Sequence, residues 1–257
     1  MTLITLLCLF VSMGWIALVN RFAYGISTKL SQKVNRIITT TYASRIFSIF
    51  SAYMNFHFAG EKDHVDELPE QYLIMSNHQS LLDIPLFMRF LDGPRLRFVA
   101  KAELGRNVPL VSVMLKSDRH GLIDRTGSPS KTMKAMDLFA ERVKENNWIP
   151  VIFPEGTRSQ DGSLGTFHAA GFRRFLTVAP MPVAVCALDG GWRISTLKGF
   201  AKNLHGGFYR VKIVKIYPAP TNKAEQIHIL EEGKALIQKQ LDAWRKQESG
   251  TQKEALP

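Results

Sequence analysis

A histidine and an aspartate stand five positions apart in a short polar segment, Ser-Asn-His-Gln-Ser-Leu-Leu-Asp at 76–83. On one continuous helix this spacing turns His78 and Asp83 about 140° apart, so they would not share a face. With His78 in a loop and Asp83 in the first helical turn, the carboxylate can accept from one imidazole nitrogen and fix its tautomer. That arrangement predicts a general base whose nucleophile is a hydroxyl group of the substrate.

The same residues also fit a structural role. Ser80 and Asp83 have the spacing of a helix-capping pair, and Pro85 is tolerated in a first helical turn. From the spacing alone, both interpretations stay open.

A second polar segment, Pro-Glu-Gly-Thr-Arg-Ser at 154–159, follows the apolar run at 149–153. Loops at strand ends are where α/β sheets bind ligands. Gly156 permits close approach of the backbone to a ligand, Thr157 offers a hydroxyl donor, and the guanidinium of Arg158 matches phosphate oxygens. Glu155 beside an anion site needs a cation or a substrate hydroxyl as partner. The alternative is an ordinary Pro-Glu-Gly turn.

Short apolar runs alternate with longer helical patterns, which predicts an α/β fold with a mixed sheet flanked by helices. The predicted strands are 72–75, 96–100, 121–123, 149–153, 181–187 and 209–216. The predicted helices lie near 84–91, 103–116, 129–146, 169–178 and 224–246.

The first twenty residues carry no charged side chain, and the first basic residue is Arg21. A helix of this length spans the hydrocarbon core of a bilayer. A cleaved signal peptide would need a basic region before the apolar run, so we expect a retained transmembrane helix. Residues 37–58 are rich in large apolar side chains and predict either an interfacial helix or a core helix. Whether the first segment crosses the bilayer or forms a hairpin with the second stays open.

These patterns divide the chain into membrane-anchoring helices at 1–59, a catalytic domain at 60–247 and a disordered tail at 248–257. Only basic charges occur between Arg21 and Ala59, which favours the cytoplasmic side of a membrane for the domain.

A net charge of +11 favours anionic partners such as phosphorylated substrates, lipid headgroups or nucleic acid. No basic motif with interleaved aromatic residues is present, so we expect no nucleic acid partner. The sequence has no metal-binding motif and predicts no metal and no cofactor. Its two cysteines give no disulfide framework, and Cys186 lies in a predicted strand.

The two polar segments together resemble the glycerolipid acyltransferases of the lysophosphatidic acid acyltransferase type. The resemblance rests on Asn-His-Gln-Ser-Leu-Leu-Asp at 77–83 and Phe-Pro-Glu-Gly-Thr-Arg-Ser at 153–159. Phe-Val-Ala-Lys-Ala-Glu-Leu at 98–104, Ile-Asp-Arg at 123–125 and Pro-Val at 182–183 extend it. It covers roughly residues 70–190, and four blocks in the expected order are far more specific than one.

The resemblance implies a role for each matching residue. His78 is then the general base and Asp83 its partner. Six further residues then bind the acceptor and its phosphate, namely Glu155, Gly156, Thr157, Arg158, Arg125 and Lys101. One departure concerns the run Phe-His-Ala-Ala-Gly at 167–171, where the family often has Phe-Lys-x-Gly. It puts the headgroup contacts in doubt, and therefore the identity of the lysolipid.

The implied reaction transfers a fatty acyl group from acyl-CoA or acyl carrier protein to the hydroxyl of lysophosphatidic acid, forming phosphatidic acid at a membrane. Alternatives with the same chemistry use another lysophospholipid, an amino-acid lysolipid or glycerol-3-phosphate. A non-catalytic membrane protein that binds lipid is a further alternative.

Overall fold

The protein is described by a computed structural model that covers residues 2–91, 93–106, 108, 111–124 and 127–254. Side chains are described for these residues except 2–6, 9–10 and 249–254. The strands are β1 (His57–Glu61), β2 (Leu73–Ser76), β3 (Leu96–Lys101), β4 (Gly121–Ile123), β5 (Ile149–Ile152), β6 (Val183–Asp189) and β7 (Phe208–Tyr217). They form one sheet in the order β1-β7-β6-β2-β5-β3-β4. Only the β6–β7 pair is antiparallel among the strands described, so the sheet is mixed.

Helices cover both faces of this sheet. They are α1 (Thr2–Ile26), α2 (Thr28–Ile37), α3 (Ala43–Met54), α4 (Asp83–Phe90), α5 (Val111–Ser117), α6 (Pro129–Glu145), α7 (Ala169–Val178), α8 (Leu197–Asn203) and α9 (Lys223–Glu254). Along β2, Ile74 packs into the core on the side of α3 and α4, whereas Leu73 and Met75 pack on the side of α6, α7 and α9. Burial on both faces explains why the central strands read as continuous apolar runs.

The predicted fold class, a mixed α/β sheet flanked by helices, is confirmed, and so are all six predicted strands. Strand β1 was missed, since its sequence His-Phe-Ala-Gly-Glu lies where an apolar helical pattern meets a charged segment. The helix predicted at 103–116 was wrong in extent. A 3-10 turn at Ala102–Gly105 precedes a short helix that begins at Val111.

The N-terminal residues form a helical hairpin of α1 and α2. Within the described residues, no helix is long and apolar enough to cross a membrane. The transmembrane helix that the uncharged N-terminus predicted is therefore not supported.

Buried polar side chains hold this hairpin together and join it to the rest of the protein. Asn20 of α1 donates to Asn35 of α2 and accepts from Ser31, both at 2.7 Å. Asn35 in turn donates to the Ser117 hydroxyl at the end of α5 at 2.7 Å. Because buried polar groups need partners, this network fixes the angle at which the hairpin meets the domain.

Helix α3 packs into the core. Phe47 and Phe50 are 1% and 3% exposed, and they join the cluster that contains Tyr209 of β7. Of the two interpretations of residues 37–58, this contact favours the core helix. The division of the chain at residues 59 and 60 stays a prediction. At the other end of the chain, residues 248–254, expected in the tail, continue α9, and residues 255–257 lie outside the described residues.

Candidate active site

The two polar segments meet because the strands before them are neighbours. Strand β2 pairs with β5 in parallel, with Ile74 opposite Val151 and Met75 opposite Ile152. The carboxyl ends of parallel strands lie at the same edge of a sheet, so the loops that follow Ser76 and Ile152 come together there.

His78 lies in the loop after β2, and Asp83 is the first residue of α4. The imidazole Nδ1 is 2.6 Å from Oδ2 of Asp83. The Asp83 side chain is fully buried, whereas that of His78 is 18% exposed. With Nδ1 held by the carboxylate, Nε2 is the nitrogen that can take a proton from a bound hydroxyl group.

The Asp83 carboxylate has further donors. Its oxygens accept from the backbone N–H groups of Gln79 at 2.8 Å and Ser80 at 3.1 Å, and from the hydroxyl of Tyr209. The structural and catalytic interpretations of Asp83 are therefore compatible, because one carboxylate orders the loop and also holds His78. The amides of Gln79 and Ser80 are engaged in these bonds, so they are not free to stabilise an oxyanion.

Tyr209 is a residue of this site that sequence reasoning missed. It lies on β7, is fully buried and donates its hydroxyl hydrogen to Oδ1 of Asp83. Gly191 makes room for it, because a Cβ there would collide with the Tyr209 hydroxyl. No local sequence signal marks this contact, since Tyr209 and Asp83 are 126 positions apart.

The loop after β5 holds the backbone of His78. The N–H of His78 donates to Oε1 of Glu155 at 2.8 Å, and its carbonyl accepts from the N–H of Ser159 at 2.8 Å. The imidazole also stacks on the ring of Phe153, with 4.2 Å between ring centres. Residues 153–159 therefore contact both the backbone and the imidazole ring of His78.

Glu155 is 5% exposed, and its other oxygen, Oε2, accepts from the N–H of Gly165 at 2.8 Å. Burial raises the pKa of its carboxyl group, and the bonds from His78 and Gly165 act in the opposite direction. These contacts make Glu155 a positioning residue for His78. Its direct contact with an acceptor stays a prediction.

The remaining predicted residues lie around the same edge of the sheet. Gly156 has a φ of 67°, a backbone conformation that glycine adopts without strain. Thr157 and Arg158 are exposed, and Lys101 is exposed at the carboxyl end of β3, the other neighbour of β5. Arg125 lies outside the described residues. Exposed cations at this edge suit an anionic ligand, because Arg and Lys form strong charge-assisted hydrogen bonds with phosphate oxygens.

Two amides beside His78 join this loop to β6. Asn77 donates to the carbonyl of Leu188 at 2.9 Å and accepts from its N–H at 2.8 Å, as a strand residue would. Gln79 is fully buried and accepts from the N–H of Gly191 at 3.1 Å. These two side chains therefore attach the His78 loop to the end of β6 and the turn that follows it.

No cluster of three or more His, Cys, Asp or Glu side chains that could hold a metal ion occurs among the described residues. Cys186 is fully buried in β6, and burial raises the pKa of its thiol. A buried thiol is a poor nucleophile, which leaves His78 as the group at this site suited to activating a hydroxyl.

Comparison with known proteins identifies the family. A family model described as Acyltransferase matches residues 60–188, half of the chain. The chain belongs to the acyltransferase family. The matched region contains His78, Asp83, Glu155 and Arg158, so the site geometry of this acyltransferase lies inside it.

Among its relatives, the 1-acyl-sn-glycerol-3-phosphate acyltransferase of Cocos nucifera is 32% identical over 129 residues, which are 49% of this chain and 41% of that protein. The protein of the same name from Saccharomyces cerevisiae is 34% identical over 109 residues, 38% of this chain and 34% of that protein. The acyltransferase described here thus spans less than half the length of these curated relatives.

The crystal structure of the 1-acyl-sn-glycerophosphate (LPA) acyltransferase PlsC from Thermotoga maritima matches 94% of this chain and 96% of that one. The TM-score is 0.67 and the sequence identity 18%. This acyltransferase therefore shares its fold over nearly its whole length.

The Tyr209–Asp83 contact yields a stability prediction. Tyr209→Phe removes one buried hydrogen bond to a carboxylate and should lower the free energy of unfolding by about 1.5–3 kcal/mol, measured by urea denaturation. Tyr217→Phe on the same strand is the matched control, since the Tyr217 hydroxyl donates to the partly exposed Glu232 at 2.6 Å. The control should lose less stability. Equal losses would contradict a special role for the buried contact.

Proposed function

We propose that this acyltransferase moves a fatty acyl group from acyl-CoA or acyl carrier protein to the free hydroxyl of lysophosphatidic acid, forming phosphatidic acid. The observation that supports this proposal most directly is the 2.6 Å hydrogen bond between Nδ1 of His78 and Oδ2 of the buried Asp83. The exposed Arg158 lies at the same edge of the sheet. The names of the relatives support the choice of acceptor.

The reaction follows from the orientation of His78. Nε2 takes the proton of the acceptor hydroxyl while its oxygen attacks the carbonyl carbon of the thioester. Asp83 stabilises the imidazolium that forms. The tetrahedral intermediate then expels the thiolate, which receives the proton back from the imidazolium. No covalent bond to the protein and no cofactor is needed.

The acceptor is held by its phosphate. Arg158 lies in the loop after β5, Lys101 lies at the end of the neighbouring strand β3, and both are exposed, while Arg125 belongs to the same set by resemblance. A clamp on the phosphate places the neighbouring hydroxyl near His78, which converts a collision into an intramolecular-like step. Alternative acceptors, namely another lysophospholipid, an amino-acid lysolipid or glycerol-3-phosphate, use the same acyl-transfer chemistry.

We further propose that the protein works on a membrane surface, with the domain on the cytoplasmic side. Helix α1 presents an exposed apolar ridge of Leu7, Val11, Trp15, Leu18 and Phe22, each more than 60% exposed. These positions recur every three or four residues and therefore share one face of the helix. The exposed Lys29 and Lys33 on α2 add attraction to anionic lipid.

His78→Ala tests the reaction. Acyl transfer from a long-chain acyl-CoA to lysophosphatidic acid should fall by at least about 100-fold, because general-base assistance is lost. His228→Ala, which removes a histidine that is 69% exposed on α9, should keep full activity. Phosphatidic acid formation is the readout, and unfolding curves check that both variants fold. Near wild-type activity of His78→Ala would rule out the mechanism.

Arg158→Ala tests the phosphate clamp. A charge-assisted hydrogen bond is worth about 1.5–3 kcal/mol, so kcat/KM for lysophosphatidic acid should fall by about 10- to 100-fold. Turnover of a phosphate-free monoacylglycerol by Arg158→Ala should change little. The control Arg45→Ala on α3 should turn over both acceptors as the wild type does. An equal loss for the two acceptors contradicts a role in phosphate binding.

Phe22→Glu tests the apolar ridge. Transfer of an exposed phenylalanine to lipid is worth about 1.5–3 kcal/mol, so vesicle binding should weaken by at least about tenfold. Leu138→Glu is the control, because Leu138 is also exposed, at 51%, but lies on α6. Vesicle co-flotation measures binding. If both variants bind as the wild type does, the contact with the membrane lies elsewhere.

A further inference from the structure

A cavity of about 360 Å³ lies at the amino ends of β3 and β5, the opposite edge of the sheet from His78. Its walls come from α2, the segment before β3, the residues after α5 and the turn before β5. Among the residues that line it are Arg36, Arg97, Asp118, Arg119 and Trp148. The acyl-transfer mechanism uses none of them.

Arg97 forms the back of this cavity. It is 9% exposed, its guanidinium stacks 4.2 Å from the centre of the Trp148 ring, and Nη1 donates to the carbonyls of Pro94 and Leu96 at 2.9 Å. Its Nε is buried and has no hydrogen-bond partner among the residues that the structure describes. A buried donor left without an acceptor is costly, and a guanidinium fixed by stacking is already oriented for an oxyanion.

The charges that face the cavity favour an anion. Among the described residues that line it, three are arginines, Arg36, Arg97 and Arg119, and one, Asp118, carries a carboxylate. Behind them, Nδ1 of the buried His120 accepts from the N–H of Phe98 at 2.9 Å. Burial lowers the pKa of His120 to about 3, so it stays uncharged near neutral pH. The described side chains that line the cavity therefore carry a net positive charge.

We propose that this cavity binds the phosphate group of an anionic ligand, with Arg97 as the buried donor and Arg36 and Arg119 as flanking cations. A phospholipid headgroup and free phosphate share this chemistry. Arg36 lies on α2, the partner of the helix that carries the apolar ridge, so a lipid headgroup would bind next to the membrane contact proposed above. The site does not depend on acyl transfer, since it occupies the other edge of the sheet.

The test compares two charge-matched double variants of the full chain. Arg36→Gln/Arg119→Asn removes the two exposed cations of the cavity, and asparagine tolerates the positive φ of 55° at position 119. Lys144→Gln/Lys116→Asn is the control, since both lysines are exposed on α6 and α5 but do not line the cavity. Unchanged acyl transfer by both variants would verify that they fold and that the site is separate.

In the first arm, inorganic phosphate is titrated into detergent-purified protein by calorimetry. The wild type and the control should bind it, and the cavity variant should bind at least about tenfold more weakly, because two charge-assisted contacts are lost. In the second arm, co-flotation is measured with phosphatidylcholine vesicles, with and without an equimolar share of phosphatidylglycerol. A lipid source predicts that the cavity variant loses binding to the anionic vesicles and the control keeps it.

The two arms separate the sources. A difference between the variants with phosphate alone identifies a soluble ligand, and a difference with anionic vesicles identifies a lipid headgroup. Equal behaviour of the two variants in both arms means that only diffuse surface charge acts, and the proposal is overturned. Absence of binding by the wild type in both arms overturns it as well.

Discussion

The peptide group of His78 is held from both sides by the loop that follows a neighbouring strand. Glu155 accepts its N–H and Ser159 donates to its carbonyl, each at 2.8 Å. The parallel pairing of β2 with β5 puts the two loops within reach. The rest of the site depends on these two hydrogen bonds, because they fix the position of the His78 backbone. Asp83 then fixes the orientation of the imidazole ring. A fixed base is already near its reactive geometry and loses little entropy when the substrate binds.

Two buried carboxylates carry this arrangement, and each accepts from two backbone N–H groups. Asp83 accepts from Gln79 and Ser80, and Glu155 from His78 and Gly165. A buried carboxylate without such donors would be very costly. The donors offset that cost and, because backbone atoms move little, they convert two flexible acids into rigid supports. The side chain of Tyr209 adds a third layer of support from β7.

The two edges of the sheet are adapted to different tasks. At the carboxyl edge, the His78 side chain is 18% exposed, and Arg158 and Lys101 are exposed, which fits the phosphate-bearing acceptor proposed above. At the amino edge, Arg97 is buried and stacked on Trp148 beside the hairpin of α1 and α2. That hairpin joins the domain through a buried polar network ending at Ser117, next to Asp118 of the cavity. The apolar ridge and the anion cavity are therefore parts of one rigid unit.

The sequence by itself determined the elements whose signal is local. The six apolar runs became strands, and the polar segments at their ends became the site, because burial on both sheet faces demands continuous apolar residues. If His78 and Asp83 act as a pair, their spacing places His78 in a loop and Asp83 at a helix start. The edge strand β1 was missed because none of its five residues is fully buried and its sequence forms no apolar run, and the helix at 103–116 was predicted too long.

Only the tertiary structure decided the contacts between distant residues. No pattern in the sequence connects Tyr209 with Asp83, or predicts that Glu155 holds the backbone of His78. The uncharged N-terminus predicted a crossing helix, whereas its fit to the domain depends on Asn20 and Asn35 finding buried partners. Composition records how apolar a segment is. Which groups satisfy its buried polar atoms is settled by packing between residues far apart in the chain, and that required the folded structure.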